Sequence, residues 1–440
     1  METTIVAIAT PIGVGGVGVI RLSGPNSLDL LKKIFTPAKP CEYVPRKMVF
    51  GNVEFNGVSD DCLAVWFKAP NSFTGEDVVE IQMHGGVKLL EETVKKLLEV
   101  GATMAQPGEF SKRAVMNGKM DITQAEGLID MIYADSIKEM QVAGSQMRGK
   151  LYDRIKEIQN QIKDEIAHIE VALDFPEHEE TFAEEKLKSE LPIIIEEIDK
   201  LCNTTEVGTK IKNGVNVCLV GAPNVGKSSV LNALVGYDRA IVTNIAGTTR
   251  DTINEGYTYK NIKFNVTDTA GLRESDDIVE KEGIKRSIKS IEESDFVIFL
   301  YDNAKKQAEN DEILTYNAQN FATVLNKIDL KSQNDTKKFD LCISAKEGVG
   351  IEELKELIYK KTINQSLLSE KVIITNLRHE KLLKEASQNL KKALNDLDTI
   401  SLDCISVPVL RAWELLGEIT GETANDSIID AIFSKFCLGK

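Results

Sequence analysis

Lys227 and Ser228 close the run Gly221-Ala-Pro-Asn-Val-Gly-Lys-Ser228, and their chemistry suits a polyphosphate. The two glycines let the backbone curl until successive N–H groups face phosphate oxygens, and a helix starting there adds the positive end of its dipole. Lys227 is placed to reach the outer phosphates, and the Ser228 hydroxyl to ligate magnesium. Asn224, Val225, Gly226 and Ser229 complete the cradle. Further on, Asp268-Thr-Ala-Gly271 offers a magnesium-side carboxylate and a glycine that senses the terminal phosphate. Asn326-Lys327-Ile328-Asp329 brings a carboxylate that can accept hydrogen bonds from the ring N–H and exocyclic amine of guanine. Adenine offers neither donor there. A buried carboxylate deprived of both costs on the order of several kcal/mol, so Asp329 is a selectivity device. Ser344-Ala345-Lys346 finishes the base pocket. Alone, the first run reads equally as a glycine-rich turn before a helix; four motifs in this order imply a unit that binds and cleaves GTP, from near Val215 to near Lys361.

Between the first two motifs lies Thr243 to Asp251, the place for a mobile switch. Thr248 and Thr249 sit within it, and Thr249 is the candidate for a second magnesium hydroxyl. After Gly271 comes Leu272, where many signalling GTPases place a glutamine that orients the attacking water. Catalysis therefore needs another group. Asn224 in the phosphate loop and the acidic stretch Glu274 to Glu282 are the two features that suggest one.

These residues need strands that end where the ligand sits. Val215–Val220, Ile262–Thr267, Phe321–Leu325 and Asp340–Ile343 read as short buried strands that alternate with helices, the pattern of a parallel sheet covered on both sides. On either side of this unit the pattern is helical. Ile155, Ile158, Ile162, Ile166 and Ile169 step by three and four, as do Leu191, Ile194, Ile195, Ile198 and Leu201. Leu383, Ala386, Leu390, Ala393, Leu394 and Leu397 repeat the device, and Pro408–Ile419 is expected to form a helix that places Trp413 and Leu416 in a core. The first segment is mixed: strand-like Ile5–Ala9, Val17–Leu22 and Ala64–Phe67, with a helix at Val87–Val100. The expected fold is an α/β P-loop GTPase domain at 213–366, inserted into an all-α domain built from 119–212 and 367–440, preceded by an α+β domain at 1–118.

The 440 residues, 42% hydrophobic and 28% charged, suit about three soluble domains. No run has the length of a bilayer-spanning helix, and the glycine-rich start lacks the basic region of a signal peptide. Seven cysteines, spread singly, point to a reducing cytoplasm rather than to disulfides or zinc. The net charge of −15 excludes broad attraction to nucleic acid, so such a partner must meet a local patch or a second protein.

Over essentially its whole length the chain resembles the tRNA modification GTPase family MnmE (TrmE). Beside the GTPase motifs, the resemblance rests on Thr10-Pro-Ile-Gly-Val-Gly-Gly-Val-Gly18, Ile20-Arg-Leu-Ser-Gly24, Asn71-Ser-Phe-Thr-Gly-Glu-Asp77, His84-Gly-Gly86 and Pro107-Gly-Glu-Phe110. Asn117-Gly-Lys-Met-Asp121, Gln124-Ala-Glu126 and the ending Phe436-Cys-Leu-Gly-Lys440 add to it; Val14 departs from the charged residue of several relatives. It implies a homodimer that works with a flavin-dependent partner, MnmG (GidA), to build an aminomethyl-type group on carbon five of the wobble uridine of certain tRNAs. A tetrahydrofolate derivative would supply the carbon. The resemblance also implies potassium near the phosphates, held by Asn224, Thr243, Ile245 and Thr248, and a water-positioning role for Glu280. Arg21, Glu80, Lys119 and Lys440 match the folate contacts. A pterin offers donors to a carboxylate, and the folate tail attracts cations; an ordinary Arg21–Glu80 surface pair is the plainer alternative. Cys437 reads equally as a nucleophile and as a small core residue. His84 suits a ligand contact or a turn, and Glu177-His-Glu-Glu180 a solvated loop or helix start rather than a metal cluster. The phosphate loop would serve a GTP-controlled switch for ribosome maturation equally well.

Overall fold

The computed structural model describes residues 3–236, 255–268, 289–304, 320–331, 334, 336–423, 426–434, 436 and 439; the side chains of 176–180, 426 and 427 fall outside that description. Two compact units emerge: Met1–Ile129 with Gln146–His168 and Val409–Lys440, and Asp130–Ser145 with Ile169–Pro408.

The first unit is built on a seven-stranded sheet of order β3-β4-β5-β6-β2-β1-β7. The strands are β1 Ile5–Ile8, β2 Gly15–Ser23, β3 Phe35–Pro37, β4 Val49–Phe55, β5 Val58–Phe67, β6 Val78–Gly85 and β7 Thr103–Met104. Neighbours run antiparallel except β1 with β7. Because side chains alternate across a strand, Val6, Ile20, Leu22, Val79 and Ile81 share one face. Helices α1 (Ser27–Ile34) and α2 (Val87–Glu99) cover that face. In α2, Leu90, Val94 and Leu97 fall on one stripe and are buried, each such burial being worth about 1.5–3 kcal/mol. Ile5 and Ala7 point the other way, onto Phe110 of α3 (Glu109–Met116).

The second unit holds a six-stranded sheet of order β13-β12-β11-β8-β10-β9. Its strands are β8 Val215–Gly221, β9 Glu255–Tyr259, β10 Ile262–Asp268, β11 Phe296–Asp302, β12 Phe321–Asn326 and β13 Leu341–Cys342. All pair in parallel except the β9–β10 hairpin. Leu219, Val266, Ile298 and Val324 join one core with Val230, Leu234, Leu354 and Ile358 of two helices, while Cys218, Val220, Val297 and Phe299 face the other side. Burial on both faces explains why these strands read as unbroken apolar runs rather than alternating ones. The expected strand Asp340–Ile343 keeps only Leu341–Cys342 in the ladder, at the sheet edge.

The helical segments are α4 Ile122–Tyr133, α5 Ile137–Met147, α6 Lys150–Asp174, α7 Pro176–Asn203 and α8 Thr205–Asn213, followed after the sheet by Leu377–Asp396, Leu402–Thr420 and Asp426–Phe433. Glu177–Glu180 thus begins a helix. Ile155, Ile158, Ile162 and Ile169 are fully buried, and the stripe from Leu191 to Leu201 is buried; Ile166 and Leu394 are half-buried. Two corrections fall on the helix expected from Pro408. It starts at Leu402 and carries Pro408 in its interior, because proline's lack of an N–H is compatible with a first turn but does not require one. Within it Leu416 is buried, whereas Trp413 is only half-buried, its carbonyl accepting from Gln159 Nε2.

Candidate functional site

The carboxyl ends of β8, β10, β11 and β12 bring the nucleotide motifs together, since parallel strands deliver their following loops to one edge of the sheet. β8 ends in Gly221, and α9 (Lys227–Val235) begins at the lysine of the loop. Gly226 adopts φ 96°, and a Cβ there would fall 2.5 Å from Asn326 Nδ2, so this position needs glycine on both counts. Val225 is buried, while Asn224 and Ser229 are exposed. The buried Lys227 donates to the carbonyls of Gly221 at 2.7 Å and Ala222 at 3.1 Å. Ser228 Oγ donates to Asp268 Oδ2 at 3.1 Å. A hydroxyl oxygen beside a carboxylate oxygen is the hard donor set that magnesium prefers.

Asn326 is 1% exposed and joins two loops: its Nδ2 donates to the Val225 carbonyl at 2.9 Å, and its Oδ1 accepts from Ala345 N–H at 3.1 Å. Lys327 donates to the Asn224 carbonyl at 2.7 Å. Ser344 Oγ donates to Asp329 Oδ1 at 2.6 Å, and this bond holds the carboxyl below its usual range, hence ionised and able only to accept. One expectation is corrected here. Asp329 is exposed rather than buried, so desolvation of its carboxylate belongs to the state in which a base covers it. Lys346 is exposed at the same rim. Thr243, Ile245, Thr248, Thr249, Gly271 and Glu280 lie outside the described residues.

Two residues at this edge escaped the reading of the sequence. Asp302 ends β11 and Asn303 follows directly; Asn303 N–H donates to the Asn326 carbonyl at 3.0 Å, and its side chain to the Leu330 carbonyl at 3.2 Å. The available signal was a polar pair directly after the apolar run Phe296–Tyr301.

In the first unit, Arg21 and Glu80 face each other across β2 and β6. Arg21 Nε and Nη2 lie 2.9 and 2.8 Å from Glu80 Oε1, and the side chains are 22% and 19% exposed. The guanidinium sits over the rings of Phe73 and Phe110, at 5.5 and 5.9 Å. Phe73 belongs to the loop 69–77, against which the Lys119 stem also packs at Gly75. The same loop is fastened by a network not anticipated from the sequence. Arg113, 1% exposed, donates to Glu76 Oε2 at 3.0 Å, Glu109 Oε1 at 2.8 Å and the Thr3 carbonyl at 2.8 Å. Its only sequence signal was the four-residue spacing from Glu109. Near the carboxyl end, Phe436 packs at Gly108, and a Cβ on Gly439 would collide with the Ile8 carbonyl; Cys437 and Lys440 lie outside the described residues. His84 has an exposed ring whose Nδ1 shares a hydrogen bond with buried Asp60. Among the described residues no group of three or more acidic, histidine or cysteine side chains could hold a metal ion, and no helix is long and apolar enough to cross a membrane.

A family profile described as the MnmE helical domain matches residues 122–437, and a second, described as the GTP-binding protein TrmE N-terminus, matches residues 4–119. The tRNA modification GTPase MnmE of Acetivibrio thermocellus is 38% identical over 456 residues, spanning 100% of this chain and 99% of that protein. The chain belongs to the MnmE family. The relatives of the same description in Finegoldia magna and Clostridioides difficile are each 37% identical, across 100% of both chains in each case. Among solved structures, the G domain of the T. maritima FeoB iron transporter is 29% identical across 34% of this chain and 99% of that one, at a TM-score of 0.25 that carries no structural weight. For this MnmE-family chain, the edge where Ser228, Asp268, Asn326 and Asp329 meet is the first candidate site, and the Arg21–Glu80 surround is the second.

Proposed function

We propose that this chain is a GTP hydrolase of tRNA modification, working with a flavoprotein partner to build a carboxymethylaminomethyl-type group on carbon five of the wobble uridine of certain tRNAs. The observation that carries the nucleotide half is the bond from Ser344 to Asp329, which presents an ionised acceptor beside the phosphate loop. The α/β unit is then inserted between the two helical stretches, with boundaries near residues 213 and 366. Magnesium would be held by Ser228 and Thr249, with Asp268 alongside, and would neutralise charge on the outer phosphates. Lys227 turns to the same phosphates, while Gly271 reads the terminal one. Asn224, Thr243, Ile245 and Thr248 would hold potassium, and Glu280 would orient the attacking water. GTP turnover should therefore fall at least about tenfold when sodium replaces potassium, and in Glu280→Ala with nucleotide affinity kept. Equal rates in both salts would remove the ion from the site.

In the first unit, Arg21 and Glu80, with Phe73 and Phe110 beside them, suit a flat heterocycle that carries both donors and a charged tail. Arg21, Glu80, Lys119 and Lys440 would bind tetrahydrofolate there, and Cys437 would serve either as a nucleophile or as a small core residue. The family membership supports a homodimer and a cytoplasmic setting. The deciding experiment compares tRNA nucleosides from cells with and without the protein. Loss of the modified wobble uridine is expected; unchanged tRNA with accumulating ribosome precursors would instead establish the assembly switch.

A further inference from the structure

Asp302 belongs to none of the nucleotide motifs, yet it is built into their edge. It is the last residue of β11, directly opposite Asn326 of β12, and its side chain is 5% exposed. Its Oδ2 accepts from Lys327 Nζ at 2.7 Å, and its Oδ1 accepts from Ala304 N–H at 2.9 Å. The same ammonium donates to the Asn224 carbonyl at 2.7 Å. A buried carboxylate, a lysine and a phosphate-loop carbonyl therefore form one chain. Lys327 and Asn224 both hold left-handed backbone, at φ 67° and 64°, a conformation that disfavours residues other than glycine. The ammonium ties these two strained positions to each other, and Asp302 determines where the ammonium sits.

An ion pair kept for stability alone is the plainer account. It fits poorly, because desolvating a carboxylate consumes most of what the pair returns and an apolar pair would serve a strand end as well. We infer that Asp302 is a positioning residue for the guanine nucleotide: acting through Lys327, it holds the phosphate loop at Asn224 and the base loop at Asp329 in one arrangement. This rests on the assignment of Lys327, Asn224 and Asp329 to the nucleotide site.

The test is a double-mutant cycle read as release of a fluorescent GDP analogue from the full chain with magnesium. Asp302→Asn preserves shape and an oxygen for Ala304 while removing the charge, and should speed release about tenfold, the scale of one lost charge-assisted hydrogen bond. Lys327→Met should speed it at least as much. In the Lys327→Met background, Asp302→Asn should then change release by less than about twofold, because the route through the Lys327 ammonium is already cut. Unchanged release in the single variant overturns the inference, as do factors that multiply in the double variant. If Asp302→Asn fails to fold while the double variant folds, the coupling stands; if both fail, Asp302 is structural only. A guanine assignment that is itself wrong would show separately, as equally slow release of a xanthine analogue from the unmutated protein.

Discussion

Asp329 presents an oriented acceptor at the mouth of the proposed base pocket, and its neighbours explain its state. The Ser344 hydroxyl lowers its pKa, with smaller help from the charges of Lys346 and Lys327. The sequence motif made the acceptor legible; its exposure was not, since burial depends on which loops fold over it. Asp329→Asn turns one acceptor into a donor, facing the ring N–H of guanine. Preference for guanine over xanthine nucleotides should fall by at least about a hundredfold, given the discrimination such pockets achieve. Competition binding with GDP and xanthosine diphosphate measures it, and retained guanine preference would disprove the assignment. Asp302 and Arg113 mark the opposite case. Each is buried against partners far along the chain, Lys327 for one and Glu76 with Thr3 for the other, and no local pattern announces a partner of that kind.

At the scale of elements, the phosphate loop works because β8 stops, the backbone reverses and α9 starts within a few residues. Gly226→Ala would place a methyl group against Asn326 Nδ2, the group that holds the Val225 carbonyl. A left-handed non-glycine residue costs about 1–2 kcal/mol before the collision is counted. GDP binding should weaken by at least about tenfold, measured by calorimetry; affinity within twofold of the unmutated protein would mean the loop relaxes freely. Elements with strong periodicity were legible. The isoleucine stripe of α6 and the stripe from Leu191 to Leu201 of α7 both became core faces. Pro408 was misleading because the same residue suits a helix start and tolerates some interiors, and packing of Ile405, Val409 and Ala412, all fully buried, favours the longer helix.

The whole molecule adds a pH dependence located far from the loops. Glu139 caps the start of α5, its Oε2 accepting from Asp135 N–H at 2.8 Å. Burial pushes its carboxyl up to about 7, with the charges of Asp135 and Asp130 adding to the rise. In the unfolded chain the same group titrates near about 4.3. Between those values the folded state binds the extra proton, so stability falls as pH rises from about 4.5 through 7. Glu139→Gln removes that slope. The variant should match the unmutated protein near pH 4 and exceed it by on the order of 3–4 kcal/mol above pH 8. Urea unfolding at both pH values checks this, and equal stability at pH 8 would show that the carboxylate is solvated after all.

The order of residues along the chain was enough to point to a guanine nucleotide, to mark the strands whose ends carry its motifs and to find the helical stripes on either side. Those depend on short-range rules: a glycine where the backbone must curl, apolar steps of three and four, a lysine and a hydroxyl at fixed offset. Folding in three dimensions was needed to show that Asp329 is exposed, that Asp302 carries Lys327, and that Arg113 fastens the loop beneath Arg21. Each of these depends on burial and on partners brought together by strand pairing. Spacing in one dimension carries no information about either.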